Sequence, residues 1–389
     1  TSYSPKIITD GLVFMYDTDD GKSFKGEPTV NLATDSPSQG GWAGGREVLD
    51  SSRKKFRFIV DNFNASAGSG QGWRSFTWDL NSYSGQSVTI SATVEVPSAS
   101  PGTFAWIMMG QTNTHTSNNS GAGQYMGYSA SSERVQKTTT TTEHITWTGT
   151  VGSTGTASQP SGHVGFTLWY NGGTIGVDSY VEVSNVQIEI NSHATQFVNG
   201  TRSAAQGLID RTGTSTINIS NASFDSNAQM TFDGTDDTIN TGLFSGRNPA
   251  TDPFTIEAVV KSDITSGARM WIDATNNGSN QRLYCAYAAT GTGNPMGIQG
   301  SAWSSSGVND TDYHHYVIVM DGSVARLYNN GEAHSTKSYT SYQIQSLNIG
   351  GRNSYRWLGD IPIFKLYDRA LTAAEVLQNF NATKSRFGL

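Results

Sequence analysis

The sequence has little cysteine, little charge and no long hydrophobic run. One cysteine, Cys285, occurs in 389 residues, which excludes an intrachain disulfide and a cysteine-based zinc site. Charged residues make up 15% of the chain and the net charge is −7, so the basic footprint of a nucleic-acid-binding protein is missing. No apolar run is long enough to cross a bilayer. We therefore expect neither nucleic acid nor a membrane as a partner.

Glycine and aromatic residues are abundant instead. The chain holds 43 glycines, 9 tryptophans, 16 tyrosines and 16 phenylalanines, whereas a disordered chain would be short of aromatics. Apolar and polar residues alternate with period two in many segments, such as residues 87–96 and 254–261, and Gly/Asn/Ser clusters separate them. Near Asn185 the alternation changes phase, which predicts a β-bulge or a strand that changes sheets. The pattern predicts an all-β protein.

One helix is predicted, at the C-terminal end. Thr372 and Glu375 form a capping box. A core-facing stripe follows the helical period and consists of Leu371, Val376, Leu377 and Phe380. The rest of the chain divides by composition, because residues 28–195 hold six of the nine tryptophans and the part from residue 197 onward has more Asn/Asp–Gly turns.

Four segments of the C-terminal part carry a family resemblance. In chain order they are residues 233–237 (DGTDD), 313–322 (YHHYVIVMDG), 326–331 (RLYNNG) and 359–371 (GDIPIFKLYDRAL). Together they are similar to concanavalin A-like, laminin-G-type jelly-roll domains. The closing residues 376–389 resemble the ends of such domains in bacteriophage structural proteins, and the preceding zone is similar to a carbohydrate-binding-module jelly roll. The resemblance implies two antiparallel β-sandwich jelly rolls, the second closed by the short C-terminal helix.

The same resemblance predicts that one domain is inserted into the other. Such domains open with a strand like residues 11–16, which a segment like residues 208–213 soon follows, and here about 190 residues separate the two. We therefore predict three parts: residues 1–27 as an N-terminal strand segment of the C-terminal domain, residues 28–195 as an inserted carbohydrate-binding-module-like jelly roll, and residues 196–389 as the concanavalin A-like domain. Two continuous tandem domains are the alternative.

Carboxylate pairs of the glycosidase type are scarce in the sequence. A retaining sandwich glycosidase needs two carboxyl groups about 5 Å apart, which acidic residues at positions i and i+2 of a strand would supply. Two such pairs occur, Asp17/Asp19 and Asp310/Asp312, and both lie at turns. We interpret them as polar turn residues and predict that the protein is not an enzyme.

An acidic turn offers a possible structural calcium site. Asp233, Asp236 and Asp237 cluster in one turn, and calcium binds several oxygen ligands of this kind. The resemblance implies calcium near this loop and near the penultimate strand, where Asp360 lies displaced and Pro362 stands at the usual aspartate position. A plain Asx turn is the alternative interpretation.

Tryptophans are the candidate ligand-binding residues. Sugar sites combine aromatic faces with a few polar groups, and the candidates are Trp169, Trp42, Trp73 and Trp357. Trp169 lies opposite Phe166 and Leu168 in the alternation of its strand, which predicts an outward position. An interface anchor is an equal alternative for Trp169, and a core or interface position is the alternative for the other three.

These features favour a surface protein over an enzyme. Our leading hypothesis is a non-enzymatic bacteriophage virion surface protein, as a capsid decoration protein or a fibre-associated adhesin. Its expected partners are other virion proteins and host cell-surface glycans, and we expect a homo-oligomer. No signal-peptide pattern opens the sequence, so we expect synthesis in the host cytoplasm and a final location on the virion surface. A lectin-type carbohydrate-binding protein of a bacterial surface is the alternative, and a polysaccharide-degrading enzyme is a remote one.

Overall fold

The structure is a computed structural model, and it divides the chain into two compact units. The described residues are 6–41, 46–59, 71–96, 106–114, 124–126, 134–135, 141–152, 160–171, 180–265, 269–275, 282–287, 296–298, 301–303, 310–339, 343–352 and 355–389. One unit, here called the C-terminal unit, comprises Thr1–Pro28 and Arg202–Leu389. The other, here called the inserted unit, comprises Thr29–Thr201.

The two units are built almost entirely from β-strands. In chain order the strands are β1 (Leu12–Asp17), β2 (Thr29–Val30), β3 (Ser38–Gly41), β4 (Arg46–Asp50), β5 (Lys55–Ile59), β6 (Gln71–Asp79), β7 (Ser87–Val96), β8 (Trp106–Thr114), β9 (Gln124–Met126), β10 (Arg134–Val135), β11 (Thr141–Thr150), β12 (Pro160–Asn171), β13 (Tyr180–Glu189), β14 (Thr201–Arg202), β15 (Ser223–Phe224), β16 (Met230–Asp233), β17 (Ile239–Asn240), β18 (Phe254–Ser262), β19 (Arg269–Thr275), β20 (Arg282–Tyr287), β21 (Met296–Ile298), β22 (Ser301–Trp303), β23 (Tyr313–Asp321), β24 (Val324–Asn329), β25 (Glu332–Ser338), β26 (Ser346–Ile349), β27 (Gly351–Arg352), β28 (Tyr355–Arg356) and β29 (Leu358–Tyr367). The helical segments are the 3-10 turns Ser51–Arg53 and Asn81–Tyr83, α1 (Ala204–Gly207) and α2 (Ala373–Phe387). The predicted all-β fold with a short C-terminal helix is confirmed, and none of the described helices is long and apolar enough to span a bilayer.

The inserted unit is a sandwich of two antiparallel sheets. One sheet has the order β10-β8-β12-β6-β3, with β9 on β8, and the other has the order β11-β7-β13-β5-β4. Trp78 and Phe166 enter the core from the first sheet, with ring centroids 6.2 Å apart. Ile90 and Ile188 enter it from the second sheet. The predicted bulge is confirmed, because the register of β13 with β7 shifts next to Asn185, whose φ of 52° is left-handed.

The C-terminal unit is a second sandwich, and its first strand comes from the start of the chain. One sheet has the order β15-β16-β29-β18-β23-β24-β25, and β1 also pairs with β29. The second sheet has the order β17-β26-β19-β20-β21-β22. In the β1–β29 pair Leu12 lies opposite Tyr367 and Asp17 lies opposite Ile363. This is the pairing that an inserted domain requires, since continuous tandem domains would pair β1 with strands of residues 28–195.

Helix α2 covers the outer face of the larger sheet of the C-terminal unit. The capping box forms as predicted: Glu375 N donates to Thr372 Oγ1, and Thr372 N donates to Glu375 Oε2 at 2.8 Å. Val376 packs against Val317, Val319 and other residues of a cluster on this face. The prediction for Leu377 is wrong, because it is 46% exposed. The buried helix positions are Val376, Asn379 and Thr383, so two polar residues continue the buried face.

The ion pair at the start of α2 makes the stability of this unit depend on pH. Arg369 donates to both carboxylate oxygens of Glu375, at 2.7 and 3.0 Å, and these bonds lower the Glu375 pKa from 4.5 to about 2. A lowered folded-state pKa stabilises the protein above pH 4.5 and loses that effect as the pH falls towards 2. We expect Glu375→Gln to cost about 1 kcal/mol at pH 7 and progressively less below pH 4.5.

Urea unfolding of wild type and Glu375→Gln between pH 7 and pH 3 measures this difference. Glu332→Gln, which changes an exposed carboxylate on β25, is the matched control, and its cost should not vary with pH in this way. A Glu375→Gln cost that stays constant down to pH 3 would contradict the assignment.

Candidate functional site

Three tryptophans occupy one row across neighbouring strands of the inserted unit. The central strand, β12, pairs with β6 on one side and with β8 on the other. Trp169 on β12 lies opposite Trp73 of β6 and opposite Trp106 of β8. We call Trp73, Trp169 and Trp106 the tryptophan row. Nothing in the local sequence indicates the place of Trp106, because a pairing between distant strands has no local signal.

The alternation of the strands relates the positions of this row to two residues of the core. Phe166 on β12 and Trp78 on β6 are core residues. Position 169 is an odd number of residues from Phe166, and position 73 is an odd number of residues from Trp78. Successive strand residues point to opposite faces. The outward position of Trp169 stays a prediction of this alternation, and the register places positions 73 and 106 opposite it on the two neighbouring strands.

The other two tryptophan candidates do not join the row. Trp42 lies outside the described residues. Trp357 is 0% exposed and belongs to the core of the C-terminal unit, where its Nε1 donates to the carbonyl oxygen of Asp360 at 3.3 Å. The expectation that Trp357 binds a ligand is corrected, because no face of a fully buried indole is free for a sugar.

The acidic turn brings three of the four candidate metal ligands together. It follows β16, and ligand oxygens of Asp233, Asp236 and Asp237 all lie within 4.8 Å of one another. Asp237 is buried and accepts hydrogen bonds from Ser223 Oγ, at 3.1 Å, and from the backbone N–H of Asp233. Its burial, and next the charges of Asp233 and Asp236, raise the Asp237 pKa to about 6.

Asp360 is separate from this cluster. Its Oδ2 accepts a hydrogen bond from the Tyr313 hydroxyl at 3.0 Å and lies 3.9 Å from Lys261 Nζ. The expectation that Asp360 completes the metal site is therefore corrected. Pro362 occupies the position where the family usually has an aspartate. Asp360 lies two residues earlier and is therefore beside Lys261 of the neighbouring strand β18.

The three remaining carboxylates fit a calcium ion. Calcium takes carboxylate oxygens as ligands, and a divalent cation would offset the mutual repulsion that raises the pKa of Asp237. Asp233 and Asp236 are exposed, so an ion could reach them. The turn also shows the Asx geometry of the alternative interpretation, because Thr235 N donates to Asp233 Oδ1 at 2.7 Å.

Calcium is expected to stabilise the C-terminal unit if this turn binds it. A ligand at 100 times its dissociation constant adds about 2.7 kcal/mol, which corresponds to a rise of about 5–10 °C in melting temperature for a domain of this size. We expect this rise when calcium replaces EDTA, and we expect Asp236→Asn to remove it. Asp312→Asn, which changes an exposed aspartate elsewhere, is the control. Equal melting temperatures in calcium and in EDTA would exclude the site.

At least one carboxylate of each pair considered for hydrolysis is bonded to a basic side chain. The Arg386 guanidinium donates to Asp17 at 2.6 and 2.7 Å and to Asp19 at 2.9 Å. Asp310 bonds His314 Nε2 at 2.9 Å and also accepts from the Asp312 N–H. The first pair thus connects the end of β1 to helix α2, whereas the contacts of the second pair lie within one turn before and at the start of β23.

A polar cavity of about 460 Å³ also lies in the C-terminal unit. Charged, polar and aromatic groups line it, including Lys261, Asp312, Tyr313, His314, Asn330 and Phe387. The rings of Tyr313 and Phe387 are 5.0 Å apart. Because its lining comes from separate elements, no single sequence motif indicates this cavity. An aromatic pair beside charged groups suits a small polar ligand.

Comparison with known proteins identifies a class of fold and a family likeness. Both units are antiparallel β-sandwiches, and residues 233–377 match the family model of the concanavalin A-like lectin/glucanases superfamily, of the laminin G type. This match supports the predicted concanavalin A-like domain in the C-terminal part of the chain. A search of curated proteins found no match.

Several solved structures are similar over less than half of the chain. Trypanosoma rangeli sialidase in complex with the inhibitor DANA is 17% identical over 46% of this chain and 31% of that chain, with a TM-score of 0.34. The binding domain of botulinum neurotoxin serotype D is 12% identical over 47% and 50%, with a TM-score of 0.35. Domain 4 of the arabinanase AbnA from Geobacillus stearothermophilus, in complex with arabinotriose, is 15% identical over 46% and 92%, with a TM-score of 0.32. The matched part thus spans about a third of the sialidase and half of the neurotoxin domain.

Proposed function

We propose that this chain is a non-enzymatic surface protein of a bacteriophage virion and that it binds host glycans. The tryptophan row carries the proposal. Neighbouring strands lie about 4.8 Å apart, so a row across three strands extends about 10 Å. Indole rings offer large apolar faces with a polar N–H at the edge, which suits the alternating apolar and polar surfaces of a sugar. A site of this length suits an oligosaccharide better than a single sugar.

Two further observations support the proposal. The match of residues 233–377 to a superfamily that includes lectins favours a binding role for the fold. The closing residues 376–389 resemble the ends of bacteriophage structural proteins, which favours a virion. In this proposal the chain is a capsid decoration protein or a fibre-associated adhesin, forms a homo-oligomer and attaches to other virion proteins.

Two measurements test the proposal. Cryo-electron microscopy of phage particles whose genome encodes this chain is expected to show it on the particle surface. A glycan array with the purified chain is expected to identify a host oligosaccharide. Absence from the particle would contradict the virion assignment, and failure to bind any host glycan would contradict the adhesin. Glycan binding without particle association would favour the alternative, a bacterial lectin-type protein.

A further inference from the structure

Four fully buried polar side chains meet beneath helix α2 in the C-terminal unit, and one of them is His315 of β23, whose Nε2 lies 3.0 Å from Glu257 Oε1. Glu257 projects from β18, Lys365 from β29 and Asn379 from α2, and each is 0% exposed. Lysine and glutamate are almost never fully buried without a partner, and burying an ion pair costs desolvation energy that the attraction between its charges often fails to offset. A cluster of this kind is therefore weak support for stability, and its chemistry requires another explanation.

One carboxylate holds an amine and a carboxamide side by side. Lys365 Nζ donates to Glu257 Oε1 at 2.6 Å, and Asn379 Nδ2 donates to Glu257 Oε2 at 2.6 Å. The carbonyl oxygen of the same carboxamide, Asn379 Oδ1, accepts the backbone N–H of Ile8 at 2.7 Å. The cluster thus contains a nucleophile, the Lys365 amine, and an electrophile, the Asn379 carboxamide carbon. Glu257 is an acid–base group between them, and the Ile8 N–H donates to the carboxamide oxygen.

We propose that Lys365 and Asn379 form an intramolecular isopeptide bond and that Glu257 is the catalytic acid–base. Glu257 accepts a proton from the Lys365 ammonium group, and the free amine attacks Cγ of Asn379. The Ile8 N–H stabilises the oxyanion that develops on Oδ1. Glu257 then moves a proton from Nζ to the departing nitrogen. The Nζ–Cγ bond forms, the Cγ–Nδ2 bond breaks, and ammonia leaves with the surplus proton as ammonium, so no oxidant or other reactant is needed.

The surroundings of the cluster act on its charges in two opposite directions. Val317, Val319, Leu371 and Val376 form the apolar cluster on this face of the sheet, and an apolar environment disfavours charged forms. Burial raises the pKa of Glu257, but Lys365 and His315 lower it further than burial raises it. The first proton transfer occurs at the 2.6 Å hydrogen bond between Lys365 Nζ and Glu257 Oε1.

The bond would fasten the last helix to the sheet. It would join β29 to α2 covalently and would close the short loop between residues 365 and 379. The segment before strand β1 would lie against this cross-linked part, because the N–H of Ile8 bonds Asn379. The inference does not depend on the proposed function, because it concerns the core chemistry of one unit.

Mass spectrometry of the intact, denatured wild-type chain tests the inference directly. Loss of one ammonia is expected to lower the mass by about 17 Da relative to the sequence, since the lysine amine replaces the amide nitrogen. A tryptic digest should show no cleavage after Lys365 and one branched peptide that joins residues 357–369 to residues 370–384. An intact mass equal to that of the sequence, with free peptides ending at Lys365, would overturn the proposal.

Variants test the role of Glu257. Glu257→Gln is expected to have the full sequence mass, with circular dichroism to show that it still folds. Lys384→Met, which changes a lysine of helix α2 outside the cluster, is the control and should retain the loss of about 17 Da. A folded Glu257→Gln protein that still loses ammonia would overturn the catalytic role. If this variant fails to fold, the mass and peptide map of the wild type still decide whether the bond exists.

Discussion

Trp169→Ala is expected to weaken oligosaccharide binding by about 30-fold. Trp169 is the centre of the tryptophan row, with Trp73 and Trp106 opposite it on the two neighbouring strands. Tryptophans at the centre of a binding surface cost about 2 kcal/mol or more when they are truncated, and 1.4 kcal/mol corresponds to a factor of ten. Isothermal titration calorimetry with the oligosaccharide found on the array measures the change.

The ends of the row should matter less than its centre. Trp73→Ala and Trp106→Ala are expected to weaken binding by about tenfold each, because a terminal ring can contact fewer sugar units. Tyr355→Ala is the matched control, since Tyr355 is an exposed aromatic residue of the C-terminal unit and should not affect binding. Unchanged affinity in all three tryptophan variants would show that the row is not the binding site.

The sequence predicts the strands well but not what covers them. In β18 the alternation correctly assigns Phe254, Ile256 and Ala258 to the core between the sheets. Glu257 and Val259 on the opposite face are fully buried as well, and the alternation does not indicate this. Helix α2 buries this outer face of the sheet. The helix begins more than a hundred residues after β18 in the chain. The alternation of a strand shows which residues are apolar, but it cannot show that a helix from a distant part of the chain covers the other face.

Among the candidate site residues, those brought together by neighbouring positions are predictable from the sequence, and those brought together by distant strands are not. The acidic turn of Asp233, Asp236 and Asp237 forms from neighbouring residues, and the sequence identifies it. The position of Asp360 depends on the register of β29 with β18, where it lies opposite Lys261, and the sequence did not show this. Trp106 was missed for the same reason, since its place beside Trp169 depends on the pairing of two distant strands.

Trp357→Ala is expected to cost about 3–5 kcal/mol in the free energy of unfolding of the C-terminal unit. Trp357 is among the largest fully buried side chains of the protein, so truncation would leave a cavity the size of an indole ring. It would also leave the carbonyl oxygen of Asp360 without the hydrogen bond from Nε1. Urea unfolding measures the loss, and glycan binding by the folded variant should be unchanged, because the tryptophan row lies in the inserted unit.

Trp169→Ala provides the contrasting measurement for this prediction. Its position in the alternation assigns it away from the core, and surface substitutions of this kind usually change stability by less than about 0.5 kcal/mol. The two tryptophans should therefore give opposite results, one variant losing stability and the other losing affinity. A Trp357→Ala variant as stable as Trp169→Ala would contradict the buried position of Trp357, and a Trp169→Ala variant that loses several kcal/mol would place that residue in a core or an interface instead.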